Sequence, residues 1–160
     1  MAVATTTAMH LRAHMECRIV ENDPDADTTC IVDLAQPQAG GAGTPTAGCL
    51  PIAQFRRFMA CYMTTVGTGG ITVFDIIAAT SAAGAGATAV VSHALGSNPN
   101  AVGDVLYLEC NAEQIHETLA AATHVGVHIN LVTATDEGVV CFTRADPLYP
   151  RAGLTADYVS

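Results

Sequence analysis

The side chains in this sequence best suited to chemistry are its histidines, its cysteines and a few isolated acids. His10, His14 and Cys17 make a His-x-x-x-His-x-x-Cys pattern. On a helix these three would share a face and could hold zinc. Their surroundings alternate instead. Met9, Leu11, Ala13, Met15, Cys17 and Ile19 are apolar, and His10, Arg12, His14, Glu16 and Arg18 between them are polar. A period of two predicts a strand over 9–19, with one wet and one buried face. His10 and His14 then lie on the face opposite Cys17, and no metal site is expected.

His124 and His128 share one face of their own predicted strand, with Asn130 next along it. Residues four apart on a strand are separated by about 13 Å, too far to bind one ion together. They read as solvent-facing or interface histidines. The cysteines at 17, 30, 49, 61, 110 and 141 contain no Cys-x-x-Cys pair, so a structural zinc is not expected and buried thiols are.

Nucleophilic catalysis needs a Ser or Cys with a base beside it. Ser92 and His93 are adjacent, and on a strand they point to opposite faces. No Gly-x-Ser-x-Gly elbow occurs. Gly67-Thr68-Gly69-Gly70 is followed by no Lys, so it reads as a hairpin turn and not a phosphate cradle. Asp75 and Glu109 lie within apolar runs and are the candidate buried acids, with Arg56, Arg57 and Arg144 available to pair with them. No catalytic residue, cofactor or metal is assigned, and a non-enzymatic protein is expected.

The elements that position these residues are mostly strands. Thr28 to Leu34 is a second strand, pairing back on the first across the acidic turn at 21–25. Further strand-like runs are 55–64, 71–79, 87–93, 104–110, 124–134 and 138–144, separated by Gly-, Asn- and Pro-rich turns. One helix is expected over about 112–122. Asn111 is a good N-cap, Gln114 completes a capping box, and Ala112, Ile115, Leu119 and Ala122 form an apolar stripe. The pattern predicts a mainly all-β fold: a single antiparallel β-sandwich or jelly-roll domain spanning 1–160, with the helix as a crossover at one end. A Gly/Pro-rich loop or arm covers 35–51. Asp146-Pro147 ends regular structure, leaving a tail over 147–160 that Tyr149 and Tyr158 could anchor.

Composition narrows the function. Half the residues are hydrophobic and only 13% are charged, so either part of the surface lies in an assembly or the many small residues of an Ala- and Gly-rich chain inflate the hydrophobic count. The net charge is −9 and the basic residues are all Arg, which disfavours a nucleic-acid partner. Apolar stretches are too short for a membrane-spanning helix, and the N-terminus lacks a signal-peptide pattern, so synthesis in a cytoplasm is expected.

The runs TTVGTGGITVFDIIAAT, AVGDVLYLECNAEQI and TDEGVVCFTRADP, in that order, resemble small virion structural proteins of tailed bacteriophages. The resemblance spans roughly the last two thirds of the chain and involves turns and strand edges. It implies a capsid decoration or cement protein, without catalytic residues, that forms a homo-oligomer and contacts a major capsid protein in the virion; a tail or head–tail component is also compatible. The N-terminal arm, the 36–50 loop and the 147–160 tail are the expected contact regions. The main rival is a carbohydrate- or receptor-binding module using Tyr62, Tyr107 and Phe74. The absence of Trp and the 5% aromatic content count against it. A small hydrolase with a Cys or carboxylate site is a further alternative.

Overall fold

The computed structural model describes residues 15–22, 30–32, 34, 48–67, 70–93, 101–131 and 136–147. Its elements are β1 (Met15–Asn22), β2 (Cys30–Ile31), β3 (Leu50–Pro51), β4 (Phe55–Val66), β5 (Ile71–Ala79), β6 (Thr88–Ser92), β7 (Val105–Asn111), α1 (Ala112–Thr118), β8 (His124–Leu131) and β9 (Glu137–Pro147). They form two antiparallel sheets, as expected for an all-β sandwich. Sheet A has the order β1-β9-β4-β7, and sheet B the order β2-β8-β5-β6, with β3 also on β8.

The pairings are nested. β1 pairs with β9, β2 with β8, β4 with β7, and β5 with β6. The described chain is thus one long antiparallel hairpin, with its tip at β5–β6, rolled so that successive pairs fall in alternate sheets.

This topology overturns two local expectations. The strand at 28–34 does not pair back on β1. β1 forms a continuous ladder with β9, from Met15↔Ala145 to Asn22↔Gly138, and Cys30–Ile31 joins the other sheet. Likewise, β4 and β5 belong to different sheets, so they are not the two arms of a hairpin through 67–70, of which residues 68 and 69 lie outside the described residues. Gly70 has φ 85°, a backbone state open to glycine.

Side chains alternate as a sandwich requires. Phe58, Ala60 and Tyr62 of β4, Val140 and Phe142 of β9, and Leu106, Leu108 and Cys110 of β7 are buried against Phe74, Ile76 and Ala78 of β5 and Val125, Val127, Ile129 and Leu131 of β8. Phe58 stacks on Phe142 within sheet A at 6.4 Å, and Tyr62 meets Phe74 across the two sheets at 6.0 Å. Such aromatic pairs add about 1 kcal/mol beyond their area.

α1 carries the chain from β7 of sheet A to β8 of sheet B. Asn111 Oδ1 accepts from the Gln114 N–H at 2.8 Å, and Gln114 Oε1 accepts from the Asn111 N–H at 2.9 Å, completing the expected capping box. The helix is shorter than the apolar stripe predicts: it ends at Thr118, and Leu119 is extended at φ −140°. Ile115 and Ala122 are nevertheless both buried, because a turn closed by the Ala122 N–H to the Leu119 carbonyl continues the stripe.

Two expected irregular regions are partly regular. Leu50 and Pro51 pair with Val125 and His124, so the 35–51 loop ends in a strand, with Cys49 and Leu50 buried. β9 runs through Asp146 to Pro147. Asp146 enters the left-handed region at φ 53°, which Asp tolerates, and Pro147 takes the last pair, opposite Phe55, where a missing N–H breaks no interior ladder. Residues 35–47 and the tail beyond 147 lie outside the described residues.

Candidate functional site

The alternation that buries Phe58, Ala60 and Tyr62 turns Met59, Cys61 and Met63 to the outside of sheet A. Directly opposed residues on antiparallel strands share a face. The register therefore builds cross-strand rows on that outer face: Val139–Met63–Val105, Cys141–Cys61–Tyr107 and Thr143–Met59–Glu109. The middle row carries no charge and continues on β1 to Ile19, whereas the first row ends on β1 at Glu21, opposite Val139. Tyr107 is 65% exposed, Met63 41% and Val105 39%. Antiparallel sandwiches usually solvate their outer faces with polar side chains. Here the centre of the face is apolar, and the described residues leave it uncovered.

The face becomes charged at one end. Arg57 Nη2 meets Glu109 Oε1 at 2.9 Å, and its Nε lies 4.0 Å from Asp146 Oδ2. These side chains are more than half exposed, so the pairs add little stability. An open groove of about 780 Å³ starts here, lined by Ile52, Phe55, Arg56, Arg57, His116 and Asp146 among others. Arg144 is buried close to Phe55. Its Nη1 donates to the Pro51 carbonyl at 2.8 Å, and its guanidinium carbon lies 4.6 Å from the Phe55 ring centroid. With Arg57 engaged by two carboxylates, the groove is mixed in charge and favours neither an anion nor a cation.

The outer face of sheet B differs. Part of it is covered by a second small cluster of Cys49, Ile77 and Ala79, with Ile31 and Ala87 against it. Gly126 makes room for this, since a Cβ there would lie 2.6 Å from Cys49 Sγ. Next to the cluster, Ser92, Asp75 and His128 stand directly opposite one another on β6, β5 and β8. Sequence reasoning missed this row, because its members come from three separated strands. A catalytic triad places the imidazole between hydroxyl and carboxylate. In this row the carboxylate is central, so the register does not make a triad. Burial lowers the His128 pKa from its ordinary value, with the Asp75 charge acting in the opposite direction.

The sequence-derived candidates are dispersed. Asp75 and Glu109 are not a buried pair: they lie on the outer faces of opposite sheets, and Glu109 is exposed and bound to Arg57. Ser92 stands opposite Asp75, while the His93 backbone N–H donates to the Phe74 carbonyl at 3.0 Å. His124 Nδ1 lies 2.8 Å from the Thr123 hydroxyl. His10 and His14 fall outside the described residues, as do Tyr149 and Tyr158; Cys17 stands opposite Thr143 on β1. Tyr62 and Phe74 are each 1% exposed core residues and cannot form a sugar platform, which leaves Tyr107.

The thiols whose burial is described divide into two kinds. Cys49 and Cys110 are buried as expected, and burial pushes their pKa values up to about 11 and about 12. Cys61 and Cys141 are only half-buried, because they lie on the outer face. Among the described residues, no group of three or more His, Cys, Asp or Glu could hold a metal ion, and no helix is long and apolar enough to cross a membrane.

Compared with protein-family models, curated proteins and solved structures, the chain matches none.

Proposed function

We propose that this chain is a non-catalytic structural protein that assembles by packing the outer face of sheet A against a second copy of itself. The observation that carries this reading is the uncharged row Ile19–Cys141–Cys61–Tyr107, with the exposed apolar Met63 and Val105 beside it, at the centre of that face. Copies bearing a net charge of −9 repel one another. They approach most easily where neither presents a charge, and this face offers such a place. At about 25 cal/mol per Å², a few hundred Å² of apolar contact supplies several kcal/mol before the costs of association.

The nested strand pairing supports the jelly-roll form of the sandwich. That fold serves viral capsid proteins and also lectins, so it does not by itself assign a role. The likeness of residues 64–80, 101–115 and 135–147 to small virion proteins of tailed phages is the support for a virion role, as a decoration or cement protein. In this reading the self-packing face joins copies of the chain, and the N-terminal arm, the 36–50 loop and the 147–160 tail reach a major capsid protein.

Light scattering on the purified chain over a range of concentrations tests the assembly. A closed oligomer is expected, and a monomer at every concentration would sink the self-packing reading. Peptide mass spectrometry of purified phage particles tests the virion placement, which requires the chain in constant ratio to the capsid protein.

A further inference from the structure

Cys61 and Cys141 are directly opposed on neighbouring antiparallel strands, β4 and β9. Neither is in a disulfide, and both are half-buried on the outer face of sheet A. Opposed residues in such a ladder have Cα atoms about 4.5–5.5 Å apart, inside the span a disulfide bridges. Their Cβ atoms are about 4.5–5.5 Å apart, against about 3.5–4.5 Å in a disulfide, so closure pinches the strands by roughly 1 Å.

The two positions are held on both sides. β9 lies between β1 and β4, and β4 between β9 and β7, so neither strand is an edge that could drift. Cys17 stands opposite Thr143 on β1, so it is diagonal to Cys141 and farther from it than the directly opposed Cys61. Cys110 and Cys49 are poor competitors. Cys110 faces the core, Cys49 sits on the far sheet, and burial disfavours the thiolate of both.

We infer that Cys61 and Cys141 are a reversible redox pair that closes to a cross-strand disulfide with an oxidised low-molecular-weight thiol, such as glutathione disulfide, as oxidant. In the first step the thiolate of one cysteine attacks a sulfur of the oxidant, forming a mixed disulfide and releasing one glutathione thiolate. The second cysteine, as its thiolate, then attacks the protein sulfur of that mixed disulfide and expels the second glutathione thiolate. Two electrons pass to the oxidant, and the two thiol protons end on the two released thiolates. The pinch makes the bond easy to reduce again, so the pair stays open in a reducing milieu and closes in an oxidising one.

The test uses the folded full-length chain at a dilution where light scattering shows single chains, so that no second copy covers the two thiols. It treats this chain with glutathione disulfide, blocks remaining thiols under denaturing conditions, and maps peptides by mass spectrometry without reductant. The expected result is a monomeric chain that has lost two hydrogens, with the Cys61 and Cys141 peptides joined and Cys49 and Cys110 still alkylated. Dithiothreitol should restore the two lost alkylation sites. Cys61→Ser and Cys141→Ser should each abolish the link. Should either variant fail to fold, the wild-type map decides alone. No link at these two positions, a link from either to another cysteine, or a link only between two chains would overturn the inference.

Discussion

The ring of Tyr62 lies across the bare backbone of Gly138, one diagonal step from Val140, its direct partner on β9. A Cβ on Gly138 would run into the ring carbons and the hydroxyl oxygen. Gly138 is therefore present for close approach, and it lets Tyr62 reach Phe74 of the other sheet. Gly138→Ala should destabilise the fold by about 1–3 kcal/mol through overpacking, measured by urea unfolding. Tyr62→Leu in the same chain should cancel part of that added cost, because it removes the clashing ring; strictly additive effects would show that the contact is not the cause.

The capping box at Asn111 has a separable effect. Asn111 is exposed, and its side chain satisfies the Gln114 N–H. Asn111→Ala should cost about 1 kcal/mol and Asn111→Gly only a few tenths, since glycine still suits the cap backbone. Equal losses from the two would point to some contact of Asn111 other than the cap.

Much of the fold was legible because local signals and tertiary structure agree. Ile71–Ala79 matches its predicted strand, and Asn111 with Gln114 marks the start of the helix. Pairing was not legible. β1 has the alternation of a strand, but nothing in it specifies that Met15 will stand opposite Ala145, far along the chain, rather than beside the next strand. The outer face of sheet A had a signal that went unused. β4 is apolar on both parities, with Phe58, Ala60 and Tyr62 on one and Met59, Cys61 and Met63 on the other, where a sandwich strand in water would alternate with polar residues. The Ser92–Asp75–His128 row had none, since cross-strand neighbours become adjacent only through the register.

His128 makes stability depend on pH. Burial lowers its folded pKa below the ordinary value of 6.5, so the unfolded chain binds the proton more readily. Its contribution is fully present above about 6.5 and is lost as pH falls from there through the folded pKa. Thermal midpoints for the wild type should fall across that acidic window. His128→Gln should remove this part of the slope, and an unchanged slope would assign the acid sensitivity to other groups.

The self-packing face makes a prediction in which the sign of an introduced charge matters. Tyr107 is 65% exposed in the single chain, so replacing it should change monomer stability by no more than about 0.5 kcal/mol. In a packed face the same charge would be buried against Cys61, its cross-strand neighbour, and against apolar residues of the second copy, which costs several kcal/mol. Tyr107→Glu should therefore give monomers by light scattering, with a melting temperature close to that of the wild type diluted to single chains. Tyr107→Lys should do the same. If only the acidic variant dissociates, repulsion between chains of net charge −9 is the cause and the face is peripheral to the contact. If neither does, copies meet elsewhere and the rows through Met63 and Cys61 need a different partner.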